Sequence, residues 1–241
     1  MNPYESEALL DQYLLFHYGS AEQVLPYSGG PVTALEFPRR SVVENIDTTV
    51  PRSRALDLGC AVGRSSFELS AFCNEVVGID LSRQFIAAAE CIRNEGELTY
   101  RRLEEGEIFT QLVARRPEVS RPERIRFEAG DALELSCNLG DFDVLHAANL
   151  LCRLPDPEPF LASLQSLVTK DGLLILTTPC TWLGEFTRPE HWPSGTTAQW
   201  LKEKLSGEFN LLNIRDMPFL IREHARKYQW SMAQASVWQR K

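Results

Sequence analysis

Long apolar runs, a basic excess and paired cysteines are all missing from this chain. No apolar stretch is long enough to span a bilayer, which excludes a helical membrane anchor. The opening MNPYESEALLDQYLLF is acidic and lacks the basic n-region of a secretory signal, so a cytoplasmic location is expected. Lys+Arg 25 against Asp+Glu 33 gives a net charge of −8. That balance argues against a nucleic-acid backbone or an anionic membrane as partner. No two of Cys60, Cys73, Cys91, Cys137, Cys152 and Cys180 stand at C-x-x-C spacing. Free thiols in a reducing cytosol are therefore expected, not zinc ligands or a redox pair. His17, His146, His191 and His224 are dispersed as well, and no metal motif is found. Internal repeats and low-complexity tracts are also lacking.

What is present is a chain of 241 residues, 44% hydrophobic and 24% charged. That suits one soluble globular domain, 1–241, with a full core. Residues 5–18 carry apolar side chains at helical spacing and stop at Gly19. Residues 27–38 read as a loop and 39–46 as a second helix, so 1–50 form an N-terminal helical cap. From Arg54 the pattern changes. RALDLGC, EVVGID, RIRFEAGD, FDVLHAAN and LLILTTP read as strands. RSSFELSAFC, SRQFIAAAECIRN and PEPFLASLQSLV read as helices between them. The alternation predicts an α/β fold with a mostly parallel, doubly wound sheet. FNLLNIRD (209–216) and QWSMAQASVWQ (229–239) look like closing strands. Residues 96–117 alternate around Glu105-Gly106 and predict a β-hairpin insertion.

ALDLGCAVGRSS (55–66) is the most informative stretch. A buried strand ends in Asp57-x-Gly59-x-x-x-Gly63 and opens a helix. The glycines permit a tight turn and close approach of a ligand to the main chain. A dinucleotide loop would read G-x-G-x-x-G; here Ala61 takes the second glycine's place, and an acid lies two residues before Gly59. Such a carboxylate suits a cationic amino-acid tail better than a phosphate. Asp80 ends the second strand, 23 residues beyond Asp57 (80 − 57). That is close to the roughly 20-residue spacing at which an acid takes a ribose hydroxyl pair. Asp131, followed by Ala132, ends the third strand; it could hold an adenine amino group or simply cap the next turn.

In this order, D-L-G-C-A-V-G, V-V-G-I-D and G-D-A resemble the S-adenosylmethionine-dependent class I methyltransferases. The resemblance implies a Rossmann-like seven-stranded sheet with its last strand antiparallel. It also implies S-adenosyl-L-methionine as cofactor, with S-adenosyl-L-homocysteine as product. Asp57, Gly59 and Gly63 would surround the methionine part, with Cys60 and Leu81 beside them, Asp80 on the ribose and Asp131 with Ala132 near adenine. The donor-binding core would run over 54–180, and 181–241 would supply acceptor-side loops and closing strands.

YLLFHYGS, LDLGCAVGRSSFELS, NLLCRLPDP, the TWL-x-EFT stretch and PFLIREHARKYQW together resemble, more narrowly, the methyltransferase module of ovothiol biosynthesis. That module methylates the imidazole π-nitrogen of 5-thiohistidine (4-mercaptohistidine), and in bifunctional members it follows an iron-dependent sulfoxide synthase. The chain looks like a free-standing form, with such a synthase as pathway partner. Cys180 departs from the aromatic residue expected before Thr-Trp. In that family the connection between the last two strands begins and ends at the carboxyl edge, so 218–230 should overhang the donor. Phe219, Ile221, Tyr228 and Trp230 alternate there with charges, as a pocket wall would. A zwitterionic acceptor needs an arginine for its carboxylate, for which Arg153, Arg222 and Arg226 are candidates. Glu185 or Glu223 would take the ammonium. Asn149 would orient a ring N–H, and His224 and Tyr228 are candidate proton acceptors or sulfur partners. Tyr18, Trp182 and Phe186 complete the expected pocket, and His17 either covers the site or packs on the sheet. Methylation of another small amine or thiol, or a non-catalytic module that binds the donor, are the alternatives.

Overall fold

The computed structural model describes residues 5–136 and 139–241. Residues 1–4 of the opening stretch and Cys137 lie outside them. The helices are α1 (Glu7–Tyr18), α2 (Ala21–Val24), α3 (Phe37–Val43), α4 (Arg64–Leu69), α5 (Arg83–Glu95), α6 (Pro157–Leu167) and α7 (Thr197–Leu205). The strands are β1 (Arg52–Leu58), β2 (Cys73–Asp80), β3 (Glu97–Glu105), β4 (Ile108–Arg115), β5 (Ile125–Ala129), β6 (Phe142–Ala148), β7 (Val168–Thr178), β8 (Phe209–His224) and β9 (Lys227–Arg240).

The seven-stranded sheet has the order β5-β2-β1-β6-β7-β9-β8. The pairs from β5 through β7 are parallel, and β9 is antiparallel to both β7 and β8. The chain moves outward from β1 to β2 and β5, then returns to the other side of β1 with β6. The order therefore reverses between β1 and β6. In open α/β sheets that crevice, beyond the carboxyl ends of the strands, is where ligands bind.

Period-2 alternation divides the core into two layers. Ala55, Val144, Ile175 and Val237 face α1, α3, α4 and α5 through Leu14, Val42, Phe67 and Phe85. Leu56, Leu145, Leu174 and Trp238 face α6 and α7 through Phe160, Leu164 and Trp200. Trp238 is 1% exposed, and truncating a ring so buried costs about 3–5 kcal/mol. Local signals fix the helix ends. Ser82 caps α5 by accepting the Phe85 N–H, and Gly96 closes it at φ 87°. A Thr196/Gln199 capping box starts α7, a helix that the apolar pattern alone had not marked.

The expected hairpin insertion is β3–β4, a separate antiparallel pair. The expected helix at 39–46 lies at Phe37–Val43, with Pro38 in its first turn. The larger difference concerns 218–230. This segment is not an overhanging loop but a continuous hairpin: β8 and β9 stay paired from Phe209↔Arg240 to His224↔Lys227. The alternation that suggested a pocket wall is a strand alternation, with one face turned to each side. Phe219 and Ile221 pack with Phe16, Phe37 and Met217. Arg222, on the opposite face, is buried and meets the insertion instead.

That meeting ties three elements together. Arg222 Nη2 donates to Glu104 Oε2 at 2.6 Å, and its Nη1 to the Gln23 carbonyl at 3.0 Å. Arg102 donates to the other Glu104 oxygen and to the same Gln23 carbonyl. The Ala225 N–H donates to the Glu104 carbonyl, and the Tyr27 hydroxyl to the Ala225 carbonyl. Removing Arg222 strips one Glu104 oxygen of its partner, while Arg102 and Thr110 keep the other. Arg222→Ala should therefore lower stability by about 1–3 kcal/mol, read as a fall in the urea midpoint.

Candidate active site

A cavity of about 620 Å³ opens at the β1/β6 reversal. Its floor is the β1–α4 loop. Gly59, Ala61 and Gly63 have φ of 71°, 48° and 88°, the left-handed region that costs a residue with a side chain about 1–2 kcal/mol. A Cβ on Gly63 would stand 2.7 Å from Phe127 Cζ and 3.1 Å from Ala89 Cβ, so only glycine fits there. The Gly59 and Cys60 N–H groups both donate to the Ile79 carbonyl. This fastens the loop to β2 and leaves bare backbone on the cavity side. Cys60 lines the cavity but is buried, and burial pushes its thiol well up; it contributes small size and no chemistry.

The strand-end acids converge on this loop. Asp80 Oδ2 accepts the Ala61 N–H at 2.9 Å and Oδ1 the Ser82 N–H at 2.8 Å. Burial raises its carboxyl to about 6, against those two hydrogen bonds, with Asp57 and Glu5 adding to the rise. Asp131 Oδ1 accepts the Leu133 N–H at 2.9 Å, so it shapes its own turn while facing the cavity beside Ala132 and Leu81.

Asp57 is held more firmly than its sequence context suggests. It is 1% exposed. Oδ2 accepts the Ser66 hydroxyl at 2.6 Å, and Oδ1 lies 2.8 Å from His146 Nδ1. His146 Nε2 lies 3.0 Å from Ser41 Oγ. Asp57 and His146 are register partners on adjacent strands. The readable signal for His146 was a polar ring inside the otherwise apolar run VLHAA.

The opposite wall is built by the chain leaving β6 and β7. Asn149 is left-handed at φ 56°. Its Oδ1 accepts the Thr177 hydroxyl at 3.0 Å, which leaves its amide N–H groups available. The Arg153 guanidinium stacks 4.5 Å above the Phe186 ring, and Glu185 and Thr181 lie on the same wall. Phe16, Phe37 and Phe219 form a three-ring cluster, with Phe37 and Phe219 centroids 5.0 Å apart.

Several expected residues stand elsewhere. Arg222 is committed to Glu104, Glu223 pairs with Lys227 at 2.5 Å, and Arg226 is exposed. His224 Nδ1 accepts the Arg226 N–H, and the Tyr228 hydroxyl donates to the Ala225 carbonyl. None of these five is in the cavity wall; the tight turn at 225–226 keeps them at the hairpin tip. Trp182 donates to Thr197 Oγ1 and packs edge-on against Trp200 in the core. Tyr18 braces the floor from below, its hydroxyl donating to the Val62 carbonyl at 2.6 Å. Cys180 is exposed with φ 53° and does not line the cavity. Wall residues not singled out from the sequence are Gln12, Tyr13 and Phe16 on α1, Phe37 on α3, and Gln229 and Ser231 on β9. They come from distant segments, and no local motif marks them.

Four carboxylates, those of Asp57, Asp80, Asp131 and Glu185, thus line a cavity that contains one guanidinium, that of Arg153. Among the described residues no cluster of His, Cys, Asp and Glu could hold a metal ion, and no helix is long and apolar enough to cross a membrane.

No curated protein matches this sequence at a significant level. Among solved structures, the chain is similar to the N-methyltransferase NodS from Bradyrhizobium japonicum WM9 in complex with S-adenosyl-L-homocysteine. That match has a TM-score of 0.58 and 15% identity, covering 96% of this chain and 98% of NodS. It is also similar to the [4+2]-cyclase SpnF, with a TM-score of 0.56 and 19% identity, covering 85% and 81% of the two chains. At such identities these likenesses show a common fold. A family model described as a methyltransferase domain matches residues 34–217, so the chain belongs to the methyltransferase domain family.

Proposed function

We propose that this methyltransferase transfers the methyl group of S-adenosylmethionine to the imidazole π-nitrogen of 5-thiohistidine. The observation that carries the reading is the two-sided cavity. One side offers bare loop and strand-end acids; the other offers a cation, an acid, an amide and an aromatic wall.

The donor is S-adenosylmethionine, which supplies a methyl group on a sulfonium. The residues present fit it: acids outnumber cations in the wall, as a positively charged ligand requires, and Gly59, Cys60 and Ala61 give the floor only small side chains. NodS has been seen with S-adenosyl-L-homocysteine on the same fold. Asp80, its carboxylate already aligned by two N–H groups, accepts the ribose hydroxyls. Asp131 accepts from the adenine amino group, and Leu81 and Ala132 flank the ring.

Acceptor recognition falls to the other wall. Arg153, placed over the Phe186 ring with its Nη1 held by the Cys152 and Thr181 carbonyls, presents its remaining N–H groups to the acceptor carboxylate, and Glu185 takes the ammonium. The Phe16–Phe37–Phe219 wall suits a planar ring. The Asn149 amide donates toward the ring substituent, which favours the tautomer whose lone pair faces the methyl. Positioning supplies much of the rate of an in-line displacement, once nucleophile and methyl are held about 3–3.5 Å apart. With His224 and Tyr228 at the hairpin tip, the ring attacks as the neutral tautomer and its proton passes to solvent afterwards.

Three outcomes test this. Protein given S-adenosylmethionine and 5-thiohistidine should yield a product heavier by one CH₂, with the methyl on ring nitrogen by NMR; a methyl on sulfur or the α-amine would refute the acceptor. Arg153→Ala should raise the acceptor KM by roughly tenfold to a hundredfold and leave donor affinity unchanged; equal effects on both would remove Arg153 from the acceptor wall. Finally, Asp80 must be ionised to accept hydroxyls. Donor affinity should therefore fall about tenfold per pH unit below about 6 and level off above about 7, and Asp80→Asn should flatten that profile. The sign for folding is opposite. The native state holds this proton more tightly than the unfolded chain, so the group's contribution to stability declines as pH rises from 3.8 to about 6.

A further inference from the structure

α1 is more than a cover. Its Gln12, Tyr13, Phe16 and His17 form one wall of the cavity. Its C-terminal end sits directly on the donor loop: the Tyr18 hydroxyl reaches the Val62 carbonyl at 2.6 Å, and Arg64 Nη1 reaches the His17 carbonyl at 3.4 Å. The His17 ring stacks on Tyr13 and meets Phe16 edge-on. Its Nδ1 is sealed from solvent without a hydrogen-bond partner.

That orphan fixes the tautomer. A buried unpaired N–H is rarer and costlier than a buried bare lone pair. The ring proton therefore belongs on Nε2, the nitrogen that is not sealed off, on a ring that lines the cavity. There it is a hydrogen-bond donor in need of an acceptor. Burial first, then the Arg64 guanidinium, lower the ring's pKa to about 3, so the ring is neutral and does not serve as the base.

Among the described residues beside the donor loop, the cation and the hydroxyl nearest in sequence are already engaged. Arg64 is paired with Glu68 at 2.8 Å, and the Ser65 hydroxyl is committed to the Pro38 carbonyl. Arg153 belongs to the far wall, on Phe186. S-adenosylmethionine nevertheless brings a carboxylate on its amino-acid tail. We infer that His17 is a donor-binding residue whose Nε2–H hydrogen-bonds that carboxylate. This rests on S-adenosylmethionine as the donor and is independent of the acceptor's identity.

The test uses two probes that share adenosine and a thioether sulfur. S-adenosyl-L-homocysteine has the amino-acid tail, and 5′-deoxy-5′-methylthioadenosine lacks it. In calorimetry, His17→Phe keeps the ring stacking but removes the N–H. It should weaken S-adenosyl-L-homocysteine by roughly tenfold to a hundredfold and leave methylthioadenosine unchanged. His17→Gln, which restores a donor, should recover most of the loss. An unchanged affinity for S-adenosyl-L-homocysteine in His17→Phe, or equal weakening of both probes, overturns the inference. Wild-type protein that binds both probes equally overturns it while leaving the donor reading intact; wild-type protein that binds neither removes both.

Discussion

A carboxylate buried at the tip of the central strand is costly unless it is fully hydrogen-bonded, and the rest of the site is arranged around meeting that requirement for Asp57. Both of its oxygens are engaged, one by Ser66 on α4 and one by His146 on β6, and His146 in turn meets Ser41 on α3. One side chain thereby links two strands and two helices at the place where the sheet order reverses. The loop that follows Asp57 cannot wander, because its base is pinned to α4, to β6 and, through His146, to α3. Its glycines then turn within a frame already set by tertiary hydrogen bonds.

The same arrangement explains why the cavity is acidic. Parallel strands end at one edge; Asp80 and Asp131, at two of the tips, accept backbone N–H groups of the next turn, while Asp57 is held by the Ser66 and His146 side chains. Asp80 and Asp131 satisfy those N–H groups and still face the cavity. The field that results favours a cationic ligand, and the one guanidinium, Arg153, stands across from the acids. The strand ends thus supply Asp57, Asp80 and Asp131 to one wall of the cavity and Arg153 with Glu185 to the other.

The hairpin of β8 and β9 does two jobs on two faces. Its inner face gives Phe219, Ile221, Gln229 and Ser231 to the cavity. Its outer face sends Arg222 to Glu104 on the insertion, where the segment between α1 and α3 joins through Gln23 and Tyr27. α1 is thereby enclosed between the insertion and the hairpin, which is what brings His17 over the donor loop. The insertion puts no residue in the cavity wall, yet it packs against the helix that does.

The sequence by itself determined the alternation of strands and helices from β1 to β7, the sheet class and the hairpin insertion. Each of these is written in local patterns: DLGCAVG needs its glycines for turns, and strand-end acids follow apolar runs. Only the tertiary structure decided which polar residues line the cavity. An alternating run such as PFLIREHARKYQW specifies two faces but not which face turns inward, because that depends on packing against Phe16 and Phe37 from far along the chain. For the same reason His146, an isolated ring in an apolar strand, gained its meaning only when β6 lay beside β1 in register with Asp57.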